Sequence, residues 1–245
     1  GIKPYGATFL VFNDYARNAV RLSALMGLPN IFVYTHDSVA LGEDGPTHQP
    51  IEHMVTLRST PNLNNWRPAD LVETAIAWKN AVDSKTTPTC LIFSRQGTSA
   101  IQRTQEHISS IQFGGYLLEK SNDHKITIVA SGSEVQLALD AAEELNKSSI
   151  STNVVSMPSL DIFLEQSEEY KNKIIDPNKP VLVVECGHPN SWFRILNRND
   201  KVIGIESFGE SAPGNELLEH FGFTKQNVIE KAKSCLLYTS DAADE

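Results

Sequence analysis

The sequence predicts an α/β protein of two doubly wound domains with mainly parallel sheets, the first of them truncated at its N-terminus. Three observations carry this reading. Helical and strand patterns alternate along the chain, as they do where parallel strands are joined by crossover helices. The strand candidates are short, continuously apolar runs such as Ile31-Phe32-Val33-Tyr34 and Val181-Leu182-Val183-Val184, expected where a sheet is covered on both faces. Between the two series, residues 97–113 turn polar and lose their long apolar runs, as a connection between domains does.

The elements follow in order. Residues 8–26 place Phe9, Phe12, Ala16, Ala19, Val20 and Ser23 on one helical stripe, with Asp14, Arg17 and Arg21 elsewhere, and no strand precedes this helix. Gly27 closes it and Pro29 prevents its continuation. After the strand 31–34 comes a polar loop, a short helix near 51–58 and a Pro/Asn-rich turn over 61–68. A second long helix has Pro68 near its first turn and runs through Ala75 and Trp78. The strand 89–93 then ends in Ser94-Arg95-Gln96. The second series comprises strands at 125–131, 153–156, 181–184 and 202–205, a helix over 134–146, and a helix entered through Ser211-Ala212-Pro213. Residues 1–100 therefore form the first domain, 101–122 a linker and 123–236 the second domain; 237–245 show no core pattern and read as a disordered or adventitious tail.

Composition bounds the function. With 245 residues, 40% hydrophobic and 21% charged, this is the make-up of a soluble globular protein. No apolar run is long enough to span a bilayer and no signal peptide is visible, so a cytoplasmic protein with no membrane partner is expected. A formal charge of -9 argues against nucleic acid as a partner, since phosphate binding draws on clustered Lys and Arg. Cys90, Cys186 and Cys235 are odd in number and widely spaced, which reads as free buried thiols in a reducing compartment.

Residues 35–50 set two histidines and three acids among small, turn-forming residues, between a strand and a helix. That is the make-up of a ligand-binding loop. His36 and Arg95 each follow a strand, so both should emerge at the carboxyl edge of a parallel sheet and suit a phosphorylated or carboxylated ligand. Taken singly, a turn-capping His and a solvated Arg explain them better. Asp44 and His48 stand four apart around Gly45-Pro46-Thr47, where a carboxylate and an imidazole can read adjacent hydroxyls and move a proton. A metal site from His36, Asp37, Asp44 and His48 is the rival, but it lacks a tight ligand pair. Phe9, Phe12 and Tyr15 recur every three residues; such rings are usually core, yet an aromatic face can stack on a flat heterocycle. Gly132-Ser133-Glu134 is explained by Ser133 capping a helix, and Cys186 with His188 reads as structural.

Several motifs in register carry a family likeness. They are Phe9-Leu10-Val11-Phe12-Asn13-Asp14-Tyr15-Ala16-Arg17-Asn18-Ala19-Val20-Arg21, Tyr34-Thr35-His36-Asp37-Ser38 and Gly42-Glu43-Asp44-Gly45-Pro46-Thr47-His48-Gln49-Pro50. Arg58-Ser59-Thr60-Pro61-Asn62, Trp66-Arg67-Pro68, Ser94-Arg95-Gln96, Gly132-Ser133-Glu134-Val135, Val155-Ser156-Met157-Pro158-Ser159 and Phe208-Gly209-Glu210-Ser211-Ala212-Pro213 complete the set. Over residues 1–233 the chain resembles transketolase, with a pyrimidine-binding domain followed by a C-terminal domain. The resemblance implies a thiamine-diphosphate enzyme that moves a two-carbon ketol group from a ketose phosphate to an aldose phosphate in the pentose phosphate pathway. It implies that Phe12 stacks on the aminopyrimidine with Phe9 and Tyr15 walling the pocket. By the same likeness His48 is catalytic, bonding the donor hydroxyls and assisting proton transfer, Asp44 reads the donor C2 hydroxyl, and His36 and Arg95 hold the sugar phosphate.

The resemblance also implies a homodimer with the cofactor between subunits. The catalytic glutamate and the diphosphate domain with its Mg2+ ligands would lie upstream of Gly1, so this chain alone should turn over negligibly. Dihydroxyacetone synthase and deoxyxylulose-phosphate synthase are rivals; the latter shares a version of the Asp-Gly-Pro-Thr-His core but not the Tyr-Thr-His-Asp-Ser lead-in. A non-catalytic subunit of a split enzyme is the alternative of another class.

Overall fold

The computed structural model describes residues 2–197 and 200–241. Its first sheet has β1 (Tyr5–Phe9), β2 (Ile31–Thr35), β3 (Asn64–Trp66) and β4 (Thr89–Ile92), in the order β1-β2-β4-β3 and parallel throughout. Helices α1 (Asn13–Leu25), α2 (His53–Arg58) and α3 (Leu71–Asp83) connect and cover them. Side chains alternate across β2. Phe32 and Tyr34 turn to a cluster with Leu10, Val20, Met54 and Leu57, while Ile31 and Val33 turn to the core shared with the second domain.

The second sheet contains β5 (Tyr116–Glu119), β6 (Ile126–Ala130), β7 (Thr152–Ser156), β8 (Val181–Val184) and β9 (Lys201–Ile203), ordered β5-β7-β6-β8-β9. Only β5 runs antiparallel, against β7 at one edge. Helices α4 (Gln105–Ser110) to α9 complete the domain: α5 (Glu134–Lys147), α6 (Leu160–Leu164), α7 (Glu168–Ile174), α8 (Gly214–His220) and α9 (Lys225–Asp241). Leu182 and Val184 of β8 face the large core with α5 and α9, and Val181 and Val183 face a second cluster with Phe163 and Trp192.

Several sequence expectations change. The stretch 8–26 is not one helix: Tyr5 to Phe9 form a strand paired residue by residue with β2, and helix starts only at Asn13. Gly6 and the β-branched Thr8 disfavour helix, and the parallel ladder satisfies their backbone groups. Gly27 does close α1, at φ 65°. The Asn-rich 61–68 segment holds the three-residue β3, anchored by the fully buried Trp66, and Asn65 donates through its backbone N and Nδ2 to Asp161 across the domain boundary. Pro68 precedes α3; the helix is capped by Asp70, which accepts from the Val72 and Glu73 amides. Within 101–122 lie α4 and β5, a strand of the second sheet. Ser133 occupies the N-cap of α5 without capping it, donating instead to Glu134 Oε1 at 2.7 Å. Helix α9 continues through Asp241, while 242–245 lie outside the described residues.

The three cysteines are buried and free, and burial pushes the Cys90 and Cys186 thiols well up. Among the described residues no helix is long and apolar enough to cross a membrane.

Candidate active site

Because β1, β2 and β4 are parallel and in register, with Phe9 beside Thr35 and Tyr34 beside Ile92, their carboxyl ends open on one rim. Phe9 ends β1, His36 follows β2 and Arg95 follows β4. The His36 backbone sits at φ 59°, in the left-handed region, and its ring stacks on Phe9 with centroids 3.7 Å apart and planes 20° from parallel. Phe12 also stacks with Phe9, 5.8 Å between centroids with planes 8° from parallel, and Tyr15 tilts against Phe12 at 5.9 Å. Strand, 3-10 turn and helix thus bring to one wall three rings that share no helix face. Beside it is an open hollow of about 550 Å³ lined by Thr8, Phe12, Tyr15 and Ala16.

The loop 36–50 folds back to this wall. His48 points its ring edge at Phe12, 5.4 Å between centroids, and at Phe9, 6.4 Å. The Thr47 hydroxyl sits 2.9 Å from His48 Nδ1 and fixes the ring's rotation. Gly42 at φ 99° and Gly45 at φ 78° make the turns that L side chains would resist. Gln49 closes the loop, its Nε2 donating to Gly42 O and to Glu210 O of the second domain, both at 2.9 Å. Ser211 donates to Glu43 O at 2.6 Å, so the Phe208 to Pro213 motif serves as a brace for the loop.

Electrostatics tie the rim together. The His36 pKa is lowered, by burial first and then by Arg95 and, less, His48, against the opposing pull of Asp44 and Asp37. All four named groups are therefore within its field, and near neutral pH the imidazole is uncharged beside the Arg95 cation. Asp44 and Arg95 are exposed at the mouth, and Tyr15, 88% exposed, is the outermost ring.

The structure thus gathers Phe9, Phe12, Tyr15, His36 and His48 by ring contact, and Asp44 and Arg95 by charge. It does not assemble the metal set His36, Asp37, Asp44 and His48, because Asp37 is buried the other way, accepting from Arg67 Nε at 2.9 Å.

Two family models match, the transketolase pyrimidine-binding domain over residues 1–99 and the transketolase-like C-terminal domain over 114–224. The chain belongs to the transketolase family. Transketolase 1 of Vibrio parahaemolyticus is 49% identical over 238 residues, which cover 96% of this chain and 36% of that protein. The chain thus spans about a third of the length of the curated relatives it matches. A crystal structure of Pichia stipitis transketolase in complex with sedoheptulose-7-phosphate superposes with a TM-score of 0.91 at 43% identity, covering 96% of this chain and 34% of that one. A split-gene transketolase, described as an inactive β4 tetramer, covers 97% of this chain and 77% of its own at 25% identity and a TM-score of 0.76.

Behind the rim, Arg58, Arg67 and Glu134 stand within motifs that carry the family likeness, but the sequence does not say what they pair with. Arg67 holds Asp37, next to His36, and reaches Ser131 and Glu134 of the second domain. Arg58 grips Glu185 with two contacts of 2.7 Å, and Glu185 also accepts from Trp192. Such partners are far apart in sequence, and the motifs that contain them do not reveal which acid each arginine meets.

Proposed function

We propose that this chain forms the pyrimidine-side wall and the sugar-phosphate mouth of a thiamine-diphosphate-dependent ketol transferase, the transketolase reaction. The observation that carries the reading is the His36–Phe9 stack with His48 set edge-on to Phe12, two imidazoles against a wall of rings at a parallel-sheet rim.

The residues present fit the cofactor. The half-buried Phe12 and the exposed Tyr15 border an open, ring-sided hollow, the environment a flat heterocycle needs. Bound thiamine diphosphate supplies the chemistry by which a carbon–carbon bond is broken in the donor and made in the acceptor. Phe12 takes the ring face, and Phe9 and Tyr15 bound it. His48, steadied by Thr47, turns its other nitrogen to the donor hydroxyls, where an imidazole can accept and return a proton. Asp44 accepts from the donor C2 hydroxyl. Arg95 supplies the charge that holds the sugar phosphate, and neutral His36 adds a hydrogen bond. Thiamine diphosphate would bring Mg2+ with its diphosphate, held by residues other than these. A cytoplasmic homodimer sharing two such sites is the assembly this reading carries.

The test is a transketolase carrying this segment in place of its own, assayed with xylulose 5-phosphate and ribose 5-phosphate. Ketol transfer that falls steeply on His48→Ala supports the proposal; undiminished transfer overturns the His48 role. Preference for formaldehyde as acceptor would identify a dihydroxyacetone synthase instead. The second reading, one chain of a split enzyme, is favoured by the split-gene relative, of which this chain covers 77%. Activity restored on mixing this chain with a separate diphosphate-binding chain would support it.

A further inference from the structure

One buried histidine away from the rim is unexplained by the reaction. His53 opens α2 and is 3% exposed, yet neither of its ring nitrogens has a hydrogen-bond partner. A buried polar atom without a partner calls for a specific reason, and a bound ion is one of the few available. Two carboxylates face the ring. Asp14, in the first turn of α1, brings Oδ1 to 3.3 Å from Nε2, and Glu52 brings Oε2 to 3.9 Å from Nδ1. One ligand atom from each of the three residues lies within 4.8 Å of the others, the only such group of His, Cys, Asp and Glu among the described residues.

The Asp14–His53 contact does not meet hydrogen-bond geometry despite its 3.3 Å length. That separation matches the edge of a zinc tetrahedron, about 3.4 Å for ligands about 2.1 Å from the ion. The nearby cation does not compete: Arg17, one turn along α1, donates to Thr60 Oγ1 at 2.7 Å. Asp14 and Glu52 keep 68% and 53% of their side-chain surface exposed, which leaves an entry path and room for water as further ligand.

We propose that Asp14, Glu52 and His53 form a binding site for a divalent transition-metal ion of the zinc class. An imidazole donor selects such an ion over Mg2+ or Ca2+, which prefer all-oxygen shells. The ion would tie the start of α1, which follows Phe12, to the start of α2, which follows the His48 loop, and so clamp the base of the ring wall.

The full chain, stripped with EDTA, is titrated with zinc chloride by calorimetry, and with cobalt(II) to read the visible bands of a low-coordinate site. One saturable site is expected. Asp14→Asn, exposed and harmless to the fold, should weaken it about tenfold or more, and His53→Gln likewise. His48→Gln should leave binding intact. In nitrogen-15 histidine spectra, zinc should move the His53 ring signals. Absence of saturable binding at millimolar zinc, or equal affinity in Asp14→Asn, overturns the proposal. Loss in His48→Gln with retention in His53→Gln overturns it too, by assigning the ion to the rim.

Discussion

The Arg67 guanidinium crosses the domain boundary to the Glu134 carboxylate, Nη1 to Oε2 at 2.5 Å, while its Nε holds Asp37 at 2.9 Å beside His36. Arg67 and both acids are buried. Burial pulls the Arg67 pKa down, but Glu134 and Asp37 outweigh it and keep the group charged. The second domain is therefore linked to the rim through a charged relay.

Cutting that relay leaves a buried cation short of one partner. Glu134→Leu should cost roughly 3–5 kcal/mol by urea denaturation, since breaking a buried pair strands the remaining charge. Glu134→Gln keeps an acceptor oxygen toward Arg67 and the Cys186 amide and should cost clearly less. Equal losses in the two variants would mean that packing, rather than pairing, holds the boundary.

At the mouth the charges act on His36 in known directions. Removing Arg95 as Arg95→Gln should raise the His36 pKa, because the guanidinium lowers it; Asp44→Asn should lower it further, because that carboxylate raises it. Nitrogen-15 titration of the histidine rings reads both. The sign for stability follows: folded His36 binds its proton less readily than the unfolded value of 6.5, so its cost is absent above that pH and grows as pH falls below it. No shift in either variant would place these groups outside each other's field.

Much of this rim was legible in the sequence because it follows from local rules. Strand ends and parallel order put His36 and Arg95 at one sheet edge without knowledge of packing. The rings Phe9, Phe12 and Tyr15 were rightly grouped, though for a helical reason that does not hold: a strand and a 3-10 turn present the first two. Strand β3 and edge strand β5 escaped because three or four residues, polar in the case of β3, give no period to read, and only tertiary pairing selects the extended state. The pairs Arg67–Glu134 and Arg58–Glu185 are separated by 67 and 127 residues, and no single-sequence pattern encodes partners that distant.

Asp161 provides a pH prediction at the boundary. Burial pushes its pKa up to about 6, against the hydrogen bonds from Asn65 and the Arg58 charge. A carboxyl with a raised folded-state pKa adds stability below its unfolded value and loses it as pH rises through about 6. Asp161→Asn keeps the acceptor for Asn65 and carries no ionisation cost. It should gain about 1–2 kcal/mol at pH 8, at about 1.4 kcal/mol per pKa unit discounted for partial exposure, and nothing at pH 3.5. Thermal melts at the two pH values decide it; a gain that does not vary with pH would trace to packing.

Gly132 precedes α5 at φ 58°, and a Cβ there would fall 2.6 Å from the Arg67 guanidinium carbon and its Nη1. A flexible arginine would swing aside, but this one is held by Asp37, Ser131 and Glu134 at once. Gly132→Ala therefore meets two costs: about 1–2 kcal/mol for left-handed backbone with a Cβ, and the displacement of a buried charge from its partners. The loss should exceed that of Gly27→Ala, also left-handed at φ 65°, where the nearest atom to a new Cβ is 3.5 Å away. Because Arg67 also holds Asp37, the His36 titration should move in Gly132→Ala and stay put in Gly27→Ala. Matching losses in the two variants, with His36 unmoved in both, would show that Arg67 is free to relax and that no mechanical link joins the second domain to the rim.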